Sequence, residues 1–591
     1  MSHTFHIPVL GLGYSVDTPL KVARYGISSV ISIVDDELVE RMREYHTLNS
    51  SQAFVPIPKS EPDARARRIT AYLNLIGQLV DEQFERLKNE PFEPGTDITR
   101  YFELLPDSSQ LKQGYDLMLD YPDNEGRQIF QDVLRKKIMP GAIDVNIMSK
   151  VDKMNFDADG NYLGDENTDA LAALRGFADS NLHSSIILSA GMNPRLYSYL
   201  ETFDEFLPDN EGHFLKRIIL KVSDFRSAFI QAKFLAKKGL WVSEFRVESG
   251  LNCGGHAFAT EGFLLGPILE EFKEKRTEMV DDLFQLYQGA LVTKGISCKA
   301  TPQQRLTVQG GIGTAEENSF LMEHYQLDAT GWGSPFLLVP EATNVDEQTL
   351  IQLAEASPDD FYVSGASPLG ILFNNFRPNS MEQLRLKRLH LNRPGSPCTK
   401  KYLVTNTEFT DQPICTASRE YQNLKIKQLR SLNLPQAELQ QQIDTVTEKI
   451  CLCEGLCTSA FIKNGILRPK ENSAVAVCPG PNLAYFNRLY TLDEMVKHIY
   501  GKLNLLDKVK RPHIFMKELD LYIEYLQADI KLHLLNITEK KKKQLSKFKA
   551  QLQEGIGYYK ELLNKAAAVT SLDYRNELLA FENILKHVQV P

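Results

Sequence analysis

The chain has 591 residues, 43% of them hydrophobic and 24% charged, which is the balance of an ordinary globular protein. That length exceeds one βα barrel of about 250 residues, so inserted or appended elements are expected. A net charge of −9, spread along the chain, argues against general nucleic-acid binding, which relies on clustered Lys and Arg. No apolar run approaches the roughly 20 residues that span a bilayer. The N-terminus lacks a basic region followed by an apolar core, so no signal peptide is expected. Eight cysteines in so long a chain do not make a disulfide scaffold. The expectation is a cytoplasmic protein with reduced thiols and no membrane span.

In chain order, Ile7-Pro8-Val9-Leu10-Gly11-Leu12-Gly13-Tyr14 reads as a buried strand ending in a glycine turn. A short helix over Thr18–Tyr25 and an apolar strand over Ser29–Val34 follow, and strand, helix, strand at this spacing is a βαβ unit. From Asp35 to about Met139 the period changes. Arg65–Lys88 and Gly126–Ile138 carry apolar residues at helical spacing, so the segment from about 36 to 140 reads as a helical insertion after strand two.

Strands resume at Ile143–Met148, Ser185–Ser189, Arg217–Val222 and Val242–Val247, and again around Leu306 and Asp328. Their apolar runs are continuous rather than alternating, which suits strands covered on both faces. Eight such strands with helices between them assemble most economically as a (β/α)8 TIM barrel, over residues 1–380. Residues 381–504 are mixed and read as a subsidiary region. From 505 to 591 the chain is helical and charged. There, Phe515–Leu535 is amphipathic, and the run Lys540–Lys543 reads as a solvated helix face, the alternative being a patch for an anionic partner. The amphipathic helices between 515 and 588 either pack on their own barrel or pair between subunits.

Two segments look like phosphate loops. Thr307–Thr314 contains Gly310 and Gly311, and Ala329–Phe336 contains Gly333 and Ser334. Backbone N–H groups reach an anion only where no side chain stands in the way, and glycine meets that need. Barrels often hold phosphate in the loops after strands seven and eight.

Strand six leads into Glu248–Phe258, where His256 follows Gly254 and Gly255. A loop histidine taken alone is more often structural or solvent-exposed; at a strand end on the phosphate rim it is a candidate acid/base, because imidazole titrates near neutrality. Lys221 interrupts an apolar strand. It either points outward or pairs with an acid, or it reaches an electron-rich cofactor ring and stabilises the negative charge of a reduced flavin. Asn146 on strand three is a candidate hydrogen-bond partner of the same ring.

Cys451, Cys453, Cys457 and Cys478 could be read as a metal or iron–sulfur site, but their spacing departs from the Cys-x2-Cys of cluster sites, and no metal is expected. Cys253 reads as a small packing residue beside the loop.

Taken together, Pro8-Val9-Leu10-Gly11, Asn146, Lys221, Gly254-Gly255-His256, Gly310-Gly311-Ile312 and Gly333-Ser334-Pro335-Phe336-Leu337 follow the order of one family. The chain resembles the nitronate monooxygenases, formerly 2-nitropropane dioxygenases. Their superfamily includes FMN-dependent enoyl reductases, among them the trans-acting reductases of polyunsaturated fatty acid and polyketide synthases. Gly333–Ala342 resembles the family's glycine–hydroxyl–x–Phe strand, Ser364–Gly370 with Asn375 resembles the segment after it, and Cys451–Leu456 resembles a Cys-Leu-Cys segment of some members. The resemblance covers about 5–35 and 140–380, and more weakly the chain up to about 500.

It implies a TIM barrel with noncovalent FMN. Gly310, Gly311, Gly333 and Ser334 would hold the phosphate, and Gly11, Leu12, Asn146, Lys221, Gly254 and Gly255 would contact the rest of the cofactor. His256 would be the base. NAD(P)H is the reductant of the reductase branch, whose substrates are acyl thioesters and whose partner is an acyl carrier protein. The monooxygenase branch takes small nitronates. The sequence departs from the family in placing Ala257 after the histidine, where many members have glycine or a charged residue, and in its helical insertion and tail. These departures bear on the substrate more than on the cofactor. Two other readings stay open: a non-catalytic barrel subunit of a larger synthase assembly, and a barrel enzyme for a different phosphorylated ligand.

Overall fold

The computed structural model describes the chain apart from residues 1, 123–124, 150, 158, 190, 210, 255–260, 535–536 and 566–571. Eight parallel strands close a barrel in chain order: β1 (Phe5–Ile7), β2 (Ser28–Ser32), β3 (Ile143–Ile147), β4 (Ser184–Leu188), β5 (Lys216–Val222), β6 (Val242–Glu248), β7 (Arg305–Gln309) and β8 (Ala329–Gly331). Closure is made by Phe5 and His6 of β1 against Thr330 and Gly331 of β8. With helices between the strands, this is the expected (β/α)8 TIM barrel with a C-terminal helical extension.

Two local readings change. β1 ends at Ile7, because Pro8 has no N–H to give a neighbouring strand, and Gly11–Gly13 lies beyond it in a turn. Ser334–Leu338 is a 3₁₀ helix rather than a strand; Pro335 fixes a helix-compatible φ near its start.

Each strand shows two faces of different chemistry. Ile7, Val145, Leu188, Leu220, Phe245, Val247 and Val308 point outward into the main hydrophobic core beneath the helices. The other parity points into the barrel and is largely polar. Arg246 of β6 reaches Asp144 of β3 at 3.5 Å; the two strands are not neighbours, so the contact crosses the interior. Arg246 also donates from Nε to Glu244 Oε1 at 2.8 Å. Thr307 Oγ1 donates to the same oxygen at 2.7 Å, and Arg305 reaches Glu244 Oε2 at 3.1 Å. Burial alone would raise the Glu244 carboxyl, but Arg246 and Arg305 outweigh it and hold it at about 2. Burial, with Arg246 close by, drives His6 down to about 3, so it stays neutral.

The helices expected at 65–88 and 126–138 are present as Ala64–Lys88 and Glu125–Lys137. Ala64–Lys88 packs so closely on the helix Asp169–Ala178 that a Cβ at Gly176 would lie 2.6 Å from the Ala66 carbonyl. Beyond the barrel come an antiparallel hairpin, β9 (Phe361–Ser364) and β10 (Phe373–Phe376), and the C-terminal helices Ile514–His533, Glu539–Lys565 and Leu572–His587. The first of these docks on its own barrel, where Phe515 meets Tyr325 edge-on, and on the next helix, where Phe515 stacks on Tyr559 at 4.8 Å. All eight cysteines are free thiols. No helix among the described residues is long and apolar enough to cross a membrane.

Arg246→Met is expected to strand the buried Glu244 and Asp144 carboxylates and cost about 3–5 kcal/mol. A denaturant titration should show the lowered midpoint; an unchanged midpoint would mean that the interior network does not hold the barrel. With the Glu244 carboxyl depressed from its ordinary 4.5 to about 2, its contribution is complete above pH 4.5 and is lost as the pH falls towards 2.

Candidate active site

The inward parity that carries the ion network also delivers side chains to the C-terminal mouth. Asn146 (β3), Lys221 (β5), Glu248 (β6) and Gln309 (β7) each follow an interior residue by two positions. Glu248 Oε1 collects three of their neighbours: it accepts from Lys221 Nζ at 3.2 Å, Asn252 Nδ2 at 2.8 Å and Gln309 Nε2 at 2.6 Å. Gln309 Oε1 in turn meets His6 Nε2 at 3.3 Å. Lys221 is therefore paired with an acid, while it and Asn146 stay only half-buried. Glu248 Oε2 and Ser32 Oγ are buried with no hydrogen-bond partner among the described residues. Buried oxygens are normally satisfied by the protein, by ordered water or by a ligand.

The glycine loops lie beside this ring. Gly310 and Gly311 have φ of +103° and +86°, a backbone region that favours glycine. A Cβ at Gly310 would stand 2.8 Å from Ser249 Oγ, and one at Gly311 would stand 2.5 Å from Leu251 Cδ1. The loop after β6 thus packs down on the loop after β7, and Ser249 Oγ donates to the Gly310 carbonyl at 2.8 Å. That packing by itself requires glycine at both positions.

Across the mouth, Gly333 approaches Cys253 and Pro8, and buried Ser334 approaches Gly480. Gly254 (φ +78°) is the tightest point: a Cβ there would lie 2.0 Å from the Val9 carbonyl, and its N–H donates to the Cys478 carbonyl at 3.0 Å. Gly11 turns back on Tyr14, whose ring would meet a Cβ at 2.4 Å, and Leu12 is half-buried beside it. Burial pushes the Cys253 thiol well up, which leaves it neutral and a packing residue. Gly255 and His256 lie outside the described residues.

The structure adds residues that the sequence reading did not single out. Glu248, Gln309, Asn252 and Ser32 complete the ring. Asn374 of β10 donates to the Asn252 carbonyl at 2.9 Å, and Asn482 donates to the Ile312 carbonyl at 2.8 Å. Arg511 donates to the Gly311 carbonyl at 2.6 Å and pairs with Glu317 at 2.6 Å. For Glu248 and Gln309 the signal was available in the parity of Glu244, Arg246 and Thr307; for Asn374, Asn482 and Arg511 it was not, because they come from distant segments.

No known family profile and no curated protein matches the chain. Among solved structures it is similar to the enoyl reductase domain of MlnA from the macrolactin biosynthesis cluster of Bacillus amyloliquefaciens, with 15% identity over 70% of this chain and 89% of that one, at a TM-score of 0.32. It is also similar to FabK from Thermotoga maritima, with 10% identity, 89% and 96% coverage and a TM-score of 0.34. A third is a nitroalkane oxidase from Streptomyces ansochromogenes, with 10% identity, 84% and 95% coverage and a TM-score of 0.34.

Gly254→Ala places a methyl group against the Val9 carbonyl in a left-handed backbone and is expected to cost roughly 2–4 kcal/mol. Thermal or denaturant unfolding checks this; wild-type stability would show that the loop is not seated on the Val9–Leu10 segment after β1 as described.

Proposed function

We propose that the protein is an FMN-dependent oxidoreductase working at the C-terminal mouth of its barrel. The observation that carries this is the polar set at the mouth, half-buried Lys221 and Asn146 with Ser32, whose buried Oγ has no hydrogen-bond partner among the described residues. The hydrogen-bonding edge of an isoalloxazine, with carbonyls flanking an N–H, would take both the donors and the acceptors of such a set. Lys221, Asn146 and Ser32 would face that edge. Gly310, Gly311, Gly333 and Ser334 would offer backbone N–H groups to the phosphate, and Gly11, Leu12, Gly254 and Gly255 would border the rest.

When bound, FMN supplies the redox step, taking or giving two electrons. The chain's own residues do the remaining work. Lys221 sets positive charge where negative charge accumulates, and Glu248, through its 3.2 Å contact, fixes the direction of the lysine. His256 holds or returns a proton at the substrate. Asn374, Asn482 and Arg511 draw later segments over the loops and narrow the access of water.

An enoyl thioester, with NAD(P)H as reductant and an acyl carrier protein as donor, is the favoured substrate class. A cleft of about 690 Å³, walled in part by Phe361, Tyr362, Leu372, Tyr485, Leu521 and Tyr525, runs beside Asn374 and Gly480. That is room for a chain-like ligand, whereas a nitronate oxidised with O₂ needs none of it.

The test is the visible spectrum of the purified protein, followed by anaerobic addition of NADPH and, separately, of a nitronate. Flavin bands bleached by NADPH support the reductase, bands bleached only by the nitronate support the oxidase, and no flavin after reconstitution overturns the proposal. His256→Ala should keep its FMN and lose turnover by ~10²–10⁴-fold; unchanged turnover removes His256 from the mechanism.

A further inference from the structure

A second, smaller cavity of about 190 Å³ lies behind the mouth, between the ends of β5 and β6 and the C-terminal helix Ile514–His533. Ser223, Asp224, Glu248, Glu261, Glu518 and Tyr522 are among its walls. It has room for several waters, and it reaches solvent at Glu261 and at Phe263, which is 42% exposed.

Two of its carboxyl groups are deeply buried. Glu248 is 3% exposed and stands between both spaces: Oε1 binds Lys221 and Gln309 of the mouth, while Oε2 has no partner among the described residues. Glu518 is 1% exposed and makes no ion pair among the described residues. Its Oε2 accepts from the Leu265 N–H at 2.7 Å and its Oε1 from the Gly250 N–H at 3.4 Å. Two N–H donors are too little to offset desolvation, and burial pushes this carboxyl up to about 7. The other titratable groups facing the pair are Tyr522 on the same helix, Tyr559 on the helix Glu539–Lys565, Asp224 after β5, Glu261 with its partner Lys547, and Lys221.

We propose that Glu518 and Glu248 form a proton relay between this cavity and the mouth, with Glu518 storing the proton and Glu248 Oε2 receiving it through cavity water. The O–H bond of the Glu518 carboxyl breaks and a water in the cavity takes the proton. That water yields a proton to Glu248 Oε2, the Glu248 carboxyl gives its proton up to the reacting group at the mouth and returns to the carboxylate, and the Glu518 carboxylate is reprotonated from solvent. No electrons move. The relay rests on the reading of the mouth as an oxidoreductase site. It supplies what that chemistry consumes, since each two-electron reduction of a C=C bond or of O₂ takes up protons. It also gives the C-terminal extension a part in the reaction, because the storing group is on its first helix.

The experiment is an isotope-edited infrared titration of the full-length protein carrying ¹³C-labelled glutamate, comparing wild type, Glu518→Gln and Glu248→Gln. A carboxyl band titrating near pH 7 is expected in wild type, absent from E518Q and moved to lower pH in E248Q, where a carboxylate facing the same cavity is removed. The second arm is turnover: E518Q should keep flavin content and KM, lose ~10–10²-fold in kcat, and lose the inflection near pH 7 from its rate profile. A purely structural Glu518 would leave that inflection in place. A band near pH 7 that ignores E248Q, or an E518Q rate profile unchanged from wild type, overturns the relay. Should the protein bind no flavin, the oxidoreductase reading falls alone, and the infrared arm still decides whether the two carboxyls are coupled. Should E518Q not fold, the E248Q spectrum, which reads the native Glu518, decides the same point.

Discussion

The charge of Arg246 inside the barrel is the constraint on which the rest of this structure turns. A guanidinium removed from water must be paired, or its desolvation is ruinous. Its partners are Glu244, two residues earlier on the same strand, and Asp144 on a strand across the interior. Glu244 in turn holds Arg305 and Thr307 of β7. Strands β3, β6 and β7 are therefore locked by ionic contacts as well as by their ladders. A slip of one residue in any of them would turn a charge into the helix layer and an apolar residue into the network. Register is specified from both faces, and the ionic face tolerates error least.

That constraint sets the geometry of the mouth. In a strand the side-chain period is two, so the residue two places after an interior charge is also interior. Glu248 follows Arg246, Gln309 follows Thr307, and Asn146 follows Asp144. The ring of polar groups at the C-terminal end is the top layer of the same stack. Its orientation is inherited from the layer beneath rather than made by the loops. This is how a site that needs fixed side-chain directions can sit beside loops packed on one another through glycine.

The same physics explains what the sequence disclosed. The strands were legible because their outward parity (Val145, Leu220, Phe245, Val247, Val308) is apolar and packs under helices, which leaves apolar runs of strand length. The inward parity was in plain view, yet only Lys221 and Asn146 stood out from it, since each breaks an apolar run. Glu248 and Gln309 sit where the run has just ended and resemble the start of a loop. Pro8 and Pro335 marked the two places where an extended reading fails, through a missing N–H and a fixed φ. The glycines at 310 and 311 were conspicuous, but glycine reports that something approaches the backbone closely without saying what. Here Leu251 and Ser249 do so. Asn374, Asn482, Arg511 and Glu518 were illegible as site neighbours because nothing local in an amphipathic or mixed segment tells which distant backbone it will meet.

Those four residues share one feature. Each spends its polar group on the main chain of a βα loop: Asn374 on the carbonyls of Gly250 and Asn252, Asn482 on that of Ile312, Arg511 on that of Gly311, and Glu518 on the N–H groups of Gly250 and Leu265. In a bare barrel such groups would face water or a ligand, and a buried main-chain group without a partner is costly. The segments beyond the barrel cover the loops only because they bring side chains that satisfy this backbone. The dependence runs both ways. Without the later segments the loops after β6 and β7 would lose these bonds, and without the loops Arg511 and Glu518 would be left buried and poorly satisfied. The mouth is therefore built by the chain from its first strand to its C-terminal helices, and a shorter piece ending at β8 would keep the ring of Glu248 and Lys221 while losing the cover that holds its loops.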